Sequence, residues 1–306
     1  KTKLSVDLAK NLNAEIISCD SMQIYKHMDI GTAKVTEEEM DGVVHHLVDF
    51  VEVDQEYTVS DFQKDADRLI KDINNRGKVA IVTGGTGLYI NSLVYKLNFA
   101  QIPPNDEIRQ KYEDLLLSDL EEGKKIIYDK LCKIDPDSAS KIHINDTKRV
   151  IRALEVYDIT GKTMSEYGKN FRSENDDYNL AMVVLNMNRE KLYERINLRV
   201  DLMMEKGLVE EVRSILEKGY SRDLISLQGI GYKEIIEYLN EEISLEEAVE
   251  QIKQGSRNYA KRQLTWFRRD ERFKWFNKDE FENEDEILLS VTDYIINKLE
   301  GEINGK

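Results

Sequence analysis

"KVAIVTGGTGLYINSLVYKL" (78–97) decides the fold of this chain. A run of apolar and β-branched residues over 78–83 reads as a buried strand. The glycine turn that follows leads into a helical pattern. Outward toward the start, "SDFQKDADRLIKDINNRG" (60–77) spaces Phe62, Ala66, Leu69, Ile70 and Ile73 as one helix face. Ser60 is its candidate N-cap and Gly77 its stop. "HHLVDFV" (45–51) and "AEIISCD" (14–20) read as further strands, and residues 3–12 as a helix with Leu4, Leu8 and Leu12 on one side. Strand and helix in alternation predict an α/β fold, a parallel sheet with crossover helices.

The pattern changes at "QIPPND", where Pro103 and Pro104 mark a boundary. Residues 103–178 are polar and helical, an expected insertion between core segments 1–102 and 179–306. "YNLAMVVLNM" (178–187) returns to a buried strand. Helices are predicted over 189–218, 232–239 and 244–268, a late strand at "FKWFN" (273–277), and a solvated turn over the acidic stretch 279–286.

Composition sets limits. The 306 residues contain no run of 18 or more apolar residues, so no membrane span is expected. The start carries no leader pattern, and Cys19 and Cys132 are too few for a zinc site, so a reducing cytoplasmic setting is expected. A net charge of −15 argues against indiscriminate nucleic-acid binding but leaves room for a local basic site.

Several stretches carry candidate chemistry. Lys1 and Thr2 precede the first helix; alone they read as a ragged start, or as the last two letters of a phosphate loop. Asp20 stands past the carboxyl end of a strand, where α/β sheets bind ligands. It could serve as a Mg²⁺ ligand, a general base or a plain turn aspartate. In "TGGTGLY" (83–89), Gly84 and Gly85 would let a ligand approach, with Thr86 at the helix start as ligand contact or cap. Ser244 and Glu247 form a capping box for a helix on which Lys253, Arg257, Lys261 and Arg268 fall within about 80° of arc. That stripe suits phosphates or an RNA backbone, or is a solvated face. Lys148, Arg149 and Arg152 lie early on a helix of the insertion, and Arg195 and Arg199 form an i,i+4 pair; either set could simply bridge nearby glutamates, the commoner case. The two glycines of "SLQGIGYKEI" (226–235) are a weak anion-site signal.

Together, "DSMQIYKHMDIGTAK", "GGTGLY", "HINDTKRVIRALEV", "QGIGYKE" and "AKRQLTWFRR" resemble the tRNA dimethylallyltransferases, from Lys1 to about Trp275. Members of that family move a dimethylallyl group from dimethylallyl diphosphate to N6 of adenosine 37 in tRNAs that read codons starting with U. The resemblance implies a P-loop NTPase-like parallel sheet flanked by helices. It also implies a first strand and most of a phosphate loop that would stand before Lys1. By resemblance, Lys1 and Arg199 contact the diphosphate, Thr2 holds Mg²⁺, and Asp20, Thr86 and Arg199 are catalytic, Asp20 as general base. The tRNA anticodon stem-loop would be met by Asp20, Ser21, Met22, Gln23 and Thr86 at the flipped base. Arg109, Lys148, Arg149, Val150, Ile151, Arg152, Gln228, Gly229, Ile230, Gly231, Tyr232 and Lys233 would touch RNA. A cytoplasmic monomer, bacterial in type, is implied. Val44 stands where the family usually has proline. The competing readings are an adenylate isopentenyltransferase acting on free nucleotide, a P-loop small-molecule kinase, and a non-catalytic RNA-binding module.

Overall fold

The computed structural model describes residues 1–96, 102–167 and 173–303. Its contacts divide the chain into two units, Lys1–Val94 with Asp176–Lys306, and Tyr95–Asn175. In the first unit, α1 (Thr2–Asn11) leads into β1 (Ala14–Cys19), every residue of which is buried. After α2 (Glu37–Met40) come β2 (His45–His46), α3 (Val59–Asn75), β3 (Val79–Gly84) and α4 (Gly87–Val94). The sheet order is β2-β1-β3, all parallel, with β1 and β3 in register from Ala14↔Val79 to Cys19↔Gly84.

Two expectations here need adjustment. The strand expected over 45–51 stops after two residues, because Leu47 and Asp49 take left-handed φ values of 58° and 56° and turn the chain out of the ladder. The cap of α3 is Thr58, not Ser60: Thr58 accepts from Asp61 N–H while the Asp61 carboxylate accepts from Thr58 N–H. The buried face of α3 is the expected one, Phe62, Ala66, Leu69, Ile70 and Ile73. Phe62 stacks on Tyr89 of α4 with centroids 4.3 Å apart, worth about 1 kcal/mol beyond the area buried. Leu97, at the end of the opening stretch, lies outside the described residues.

The rest of this unit is helical around a second parallel pair, β4 (Val183–Asn186) with β5 (Lys274–Asn277). Between them run α10 (Arg189–Glu205), α11 (Leu208–Glu217), α12 (Tyr232–Leu239) and α13 (Leu245–Phe267); α14 (Glu284–Ile303) follows. The single helix expected over 189–218 is two, broken where Gly207 takes φ 94°. The acidic stretch is a turn only as far as residue 283; Glu284 already begins α14. Ser244 caps α13 through the expected capping box.

The second unit holds α5 (Asp106–Ser118), α6 (Leu120–Ile134), α7 (Pro136–Ala139), α8 (Thr147–Thr160) and α9 (Met164–Tyr167). Tyr112, Ile127, Leu131, Val150 and Leu154 form its core. No helix among the described residues is long and apolar enough to cross a membrane.

Candidate active site

The register of β1 and β3 ends on Cys19↔Gly84, so the residues leaving both strands are neighbours. The main-chain N–H groups of Gly85 and Thr86 each donate to the Cys19 carbonyl at 3.2 Å. Thr86 Oγ1 accepts from Ser21 N–H at 3.1 Å. Asp20 folds the chain around itself, its Oδ1 accepting from Met22 N–H at 2.9 Å and Gln23 N–H at 3.3 Å. Asp20 is thus a turn aspartate by conformation, and the turn engages Oδ1 alone. Gln23 spends its amide on the loop, donating to Thr32 O at 3.1 Å and Ala33 O at 3.0 Å. Asp20, Ser21, Gln23 and Thr86 therefore share one hydrogen-bonded corner at the carboxyl edge of the sheet.

The glycines of "GGTG" serve packing. A Cβ on Gly84 would stand 2.0 Å from the Cys19 carbonyl oxygen, one on Gly85 2.0 Å from Gln263 Nε2, and one on Gly87 2.5 Å from the Trp266 ring. What these positions admit is the backbone of β1 and the side chains of α13, a packing reason for the glycines that needs no ligand. Gln263 donates to Gly85 O at 3.0 Å, and the Tyr259 hydroxyl reaches the same oxygen at 3.5 Å. Burial, and then the charge of Asp20, push the Tyr259 hydroxyl pKa up. Tyr259, off the basic stripe by its spacing, and Gln263 are not among the expected site residues. Their i,i+4 spacing, with Trp266 three residues on, is the signal that marks one helix face.

The basic stripe of α13 divides in two. Lys253 pairs with Asp201 at 2.6 Å, and Arg257 donates to Asn197 at 2.7 Å and Glu250 at 3.0 Å, so this half is committed largely to α10. Further along, Lys261, Arg262 and Arg269 line a cavity of about 440 Å³ with Asn258, Thr265 and Trp266. Arg262 lies over the Tyr259 ring at 5.7 Å and Arg269 over the Trp266 ring at 5.8 Å. Arg268 turns to Trp275 instead, 5.8 Å from its centroid.

Lys1 is exposed and Thr2 is the first helical residue of α1. The two α10 arginines, Arg195 and Arg199, are both exposed. Among the described residues no cluster of three or more His, Cys, Asp or Glu side chains could hold a metal ion.

The remaining expected RNA contacts sort by burial. Tyr232 is fully buried and donates to Glu211 at 2.6 Å, so its ring cannot meet RNA. Gly229 is pressed against Met22, whose Cε would be 2.5 Å from an added Cβ. Gly231 takes φ 99° and donates to Glu234 at 2.8 Å, closing the start of α12. Ile230 packs on the same core, whereas Gln228 and Lys233 are exposed. In the second unit, Val150 and Ile151 are buried in the core, which corrects their assignment as RNA contacts. Arg109 and Arg152 both grip the fully buried Glu155, Arg109 through Nε at 2.9 Å, and Asn105 N–H adds a bond at 2.7 Å. Burial works against that carboxylate, yet the bonds from Arg152, Asn105 and Arg109 hold it below its usual range. Lys148 and Arg149 are exposed.

Comparison with known proteins falls on the same residues. The family model described as IPP transferase matches residues 23–270. A tRNA dimethylallyltransferase of Clostridioides difficile is 52% identical, over 96% of this chain and 93% of that protein. One of Thermoanaerobacter sp. is 50% identical, over 98% and 95%. The crystal structure of a Bacillus halodurans tRNA isopentenylpyrophosphate transferase superposes with a TM-score of 0.73 at 44% identity, covering 99% of this chain and 94% of that one. A eukaryotic dimethylallyltransferase captured acting on tRNA superposes with a TM-score of 0.78 at 30% identity, covering 97% and 76%. With the turn after β3 and the whole of α13 inside the matched span, the chain belongs to the IPP transferase family.

Proposed function

We propose that this chain transfers a dimethylallyl group from dimethylallyl diphosphate to N6 of adenosine 37, in tRNAs that read codons starting with U. The observation that carries the reading is the corner in which Asp20 and Thr86, from neighbouring parallel strands, are joined through Ser21. It supports one carboxylate and one hydroxyl aimed from the ligand-binding edge of the sheet. Relatives named for dimethylallyl transfer and for acting on tRNA support that donor group and that class of acceptor.

The chemistry follows from the acceptor. The exocyclic amine of adenine is a weak nucleophile, its lone pair delocalised into the ring. In this reading a carboxylate oxygen of Asp20 takes the N6 proton as the N–C bond forms. The allylic C–O bond breaks at the same time and its electron pair leaves with the diphosphate. Lys1 and Arg199, or Arg195 in its place, meet that diphosphate charge. Thr2 is the residue that would hold Mg²⁺, which supplies charge neutralisation to the leaving group when bound. Thr86 orients the turn and, with Ser21 and Gln23, faces the flipped base. The cationic cavity of Lys261, Arg262 and Arg269 suits the backbone of an anticodon stem. Lys148, Arg149, Gln228 and Lys233 offer exposed donors for the same RNA, and Arg109 and Arg152 keep part of their guanidinium groups outward. The active species is a cytoplasmic monomer.

The test is acceptor choice: labelled dimethylallyl diphosphate is offered with tRNA or with AMP. Label in tRNA, mapped to position 37, is expected. Label in AMP alone, or consumption of ATP without the prenyl donor, would overturn the reading.

A further inference from the structure

Glu211 on α11 gathers three successive main-chain donors. Asp29 N–H reaches its carboxylate at 2.9 Å, Ile30 N–H at 2.7 Å and Gly31 N–H at 3.1 Å. The Tyr232 hydroxyl adds a fourth bond at 2.6 Å. Converging backbone N–H groups of this kind make an anion-holding concavity, and here the anion is the protein's own. The loop is shaped for it. A Cβ on Gly31 would stand 2.5 Å from the Tyr232 ring, so only glycine lets that ring close the pocket.

The loop then passes its order onward. Directly after Gly31, the carbonyls of Thr32 and Ala33 accept the Gln23 amide at 3.1 and 3.0 Å. Gln23 N–H in turn bonds Asp20 Oδ1. An unbroken path of hydrogen bonds therefore runs from Glu211 through residues 29–33 and Gln23 to the Asp20 turn. The loop closes on itself through Ala33 N–H to Ile30 O at 3.0 Å and Lys34 N–H to Asp29 O at 2.9 Å, while the N–H groups of Asp29, Ile30 and Gly31 have Glu211 as their acceptor. A glutamine in place of Glu211 would offer one acceptor oxygen and point an NH₂ group at donors.

We propose that Glu211 is a positioning residue for the transfer reaction: it holds the loop that, through Gln23, orients Asp20. It touches neither substrate. The proposal rests on the reading of Asp20 as the base.

The experiment compares Glu211→Ala, Gln23→Ala and the double variant in the full chain, with dimethylallyl diphosphate and tRNA. In Glu211→Ala, amide exchange at Asp29, Ile30 and Gly31 should accelerate, and kcat should fall by about tenfold to a hundredfold, the usual consequence of ångström-scale misplacement. The KM for dimethylallyl diphosphate should stay within about twofold. The double variant should lose no more than the worse single variant, because both act through one turn. Faster exchange with unchanged kcat would overturn the proposal, as would losses that multiply. Should Glu211→Ala fail to fold, Tyr232→Phe removes one donor and leaves the three amides; a kcat loss not additive with Gln23→Ala is then expected, and an unchanged kcat overturns the proposal. Asp20→Asn in the same assay separates the two ideas. A fully active Asp20→Asn overturns the base assignment, whereas an inactive Asp20→Asn beside a fully active Glu211→Ala overturns the role of Glu211 alone.

Discussion

Two adjacent glycines should respond very unequally to the same methyl group. At Gly84, the added Cβ would sit 2.0 Å from the Cys19 carbonyl oxygen, 2.3 Å from its carbon and 2.8 Å from its Cα. Ordinary contact begins at 3.4 Å, so about 1.4 Å must be found (3.4 − 2.0), and the obstacle is the backbone of the paired strand. Neither strand can yield without stretching the β1–β3 ladder. Overpacking of this kind costs about 1–3 kcal/mol. At Gly85 the shortfall is the same, but the obstacle is Nε2 of Gln263, with Cδ already 3.2 Å away. That amide can swing aside at the cost of one hydrogen bond to Gly85 O, about 1 kcal/mol or less. Urea titration followed by circular dichroism should show a midpoint lowered by on the order of 1 M for Gly84→Ala, at unchanged slope. Gly85→Ala should shift it far less while disturbing turnover, since it moves the residue that steadies the Thr86 turn. Equal midpoints for the two variants, or a larger loss at Gly85, would refute the packing argument.

Two further outcomes follow from charges. Bonds from Arg76, then Lys78 and His46, overcome burial and hold the Glu15 carboxyl well below its ordinary pKa of 4.5. A depressed pKa contributes stability above the unfolded value and loses it as pH falls, so the wild-type chain should destabilise steeply below about pH 4.5. Glu15→Gln, measured by urea titration across pH, should be weaker at neutral pH and show a flatter acid slope. In tRNA binding, Lys261→Ala should lower the slope of log affinity against log salt by about 1, whereas Lys253→Ala, already paired with Asp201, should leave it nearly unchanged.

The corner that joins Asp20 to Thr86 is legible because its signals are local. A run such as "EIISC" buried on both faces reads as a central parallel strand, and the residues just beyond such strands face ligands. The helix face Phe62, Ala66, Leu69, Ile70 and Ile73 follows from 3.6-residue spacing alone. What stayed hidden depends on partners distant in sequence. Nothing near Lys253 announces Asp201, and nothing near Arg109 announces Glu155, although the i,i+3 pair of Arg152 with Glu155 is visible in the spacing. The two glycines of "SLQGIGYKEI" are a weak anion-site signal, yet the tyrosine beside them is buried because Gly31, about 200 residues earlier, leaves room for its ring. The two-residue β2 and the break at Gly207 turn on single φ angles that apolar periodicity does not encode.

The central claim is that Asp20 takes the proton from the adenine amine. The direct measurement is single-turnover prenyl transfer by Asp20→Asn with saturating tRNA and dimethylallyl diphosphate, beside tRNA affinity from the same preparation. The substitution keeps the oxygen that accepts from Met22 and Gln23, so the turn should survive. The account predicts a rate lowered by at least about a hundredfold with tRNA affinity nearly unchanged. Transfer at the wild-type rate would contradict it.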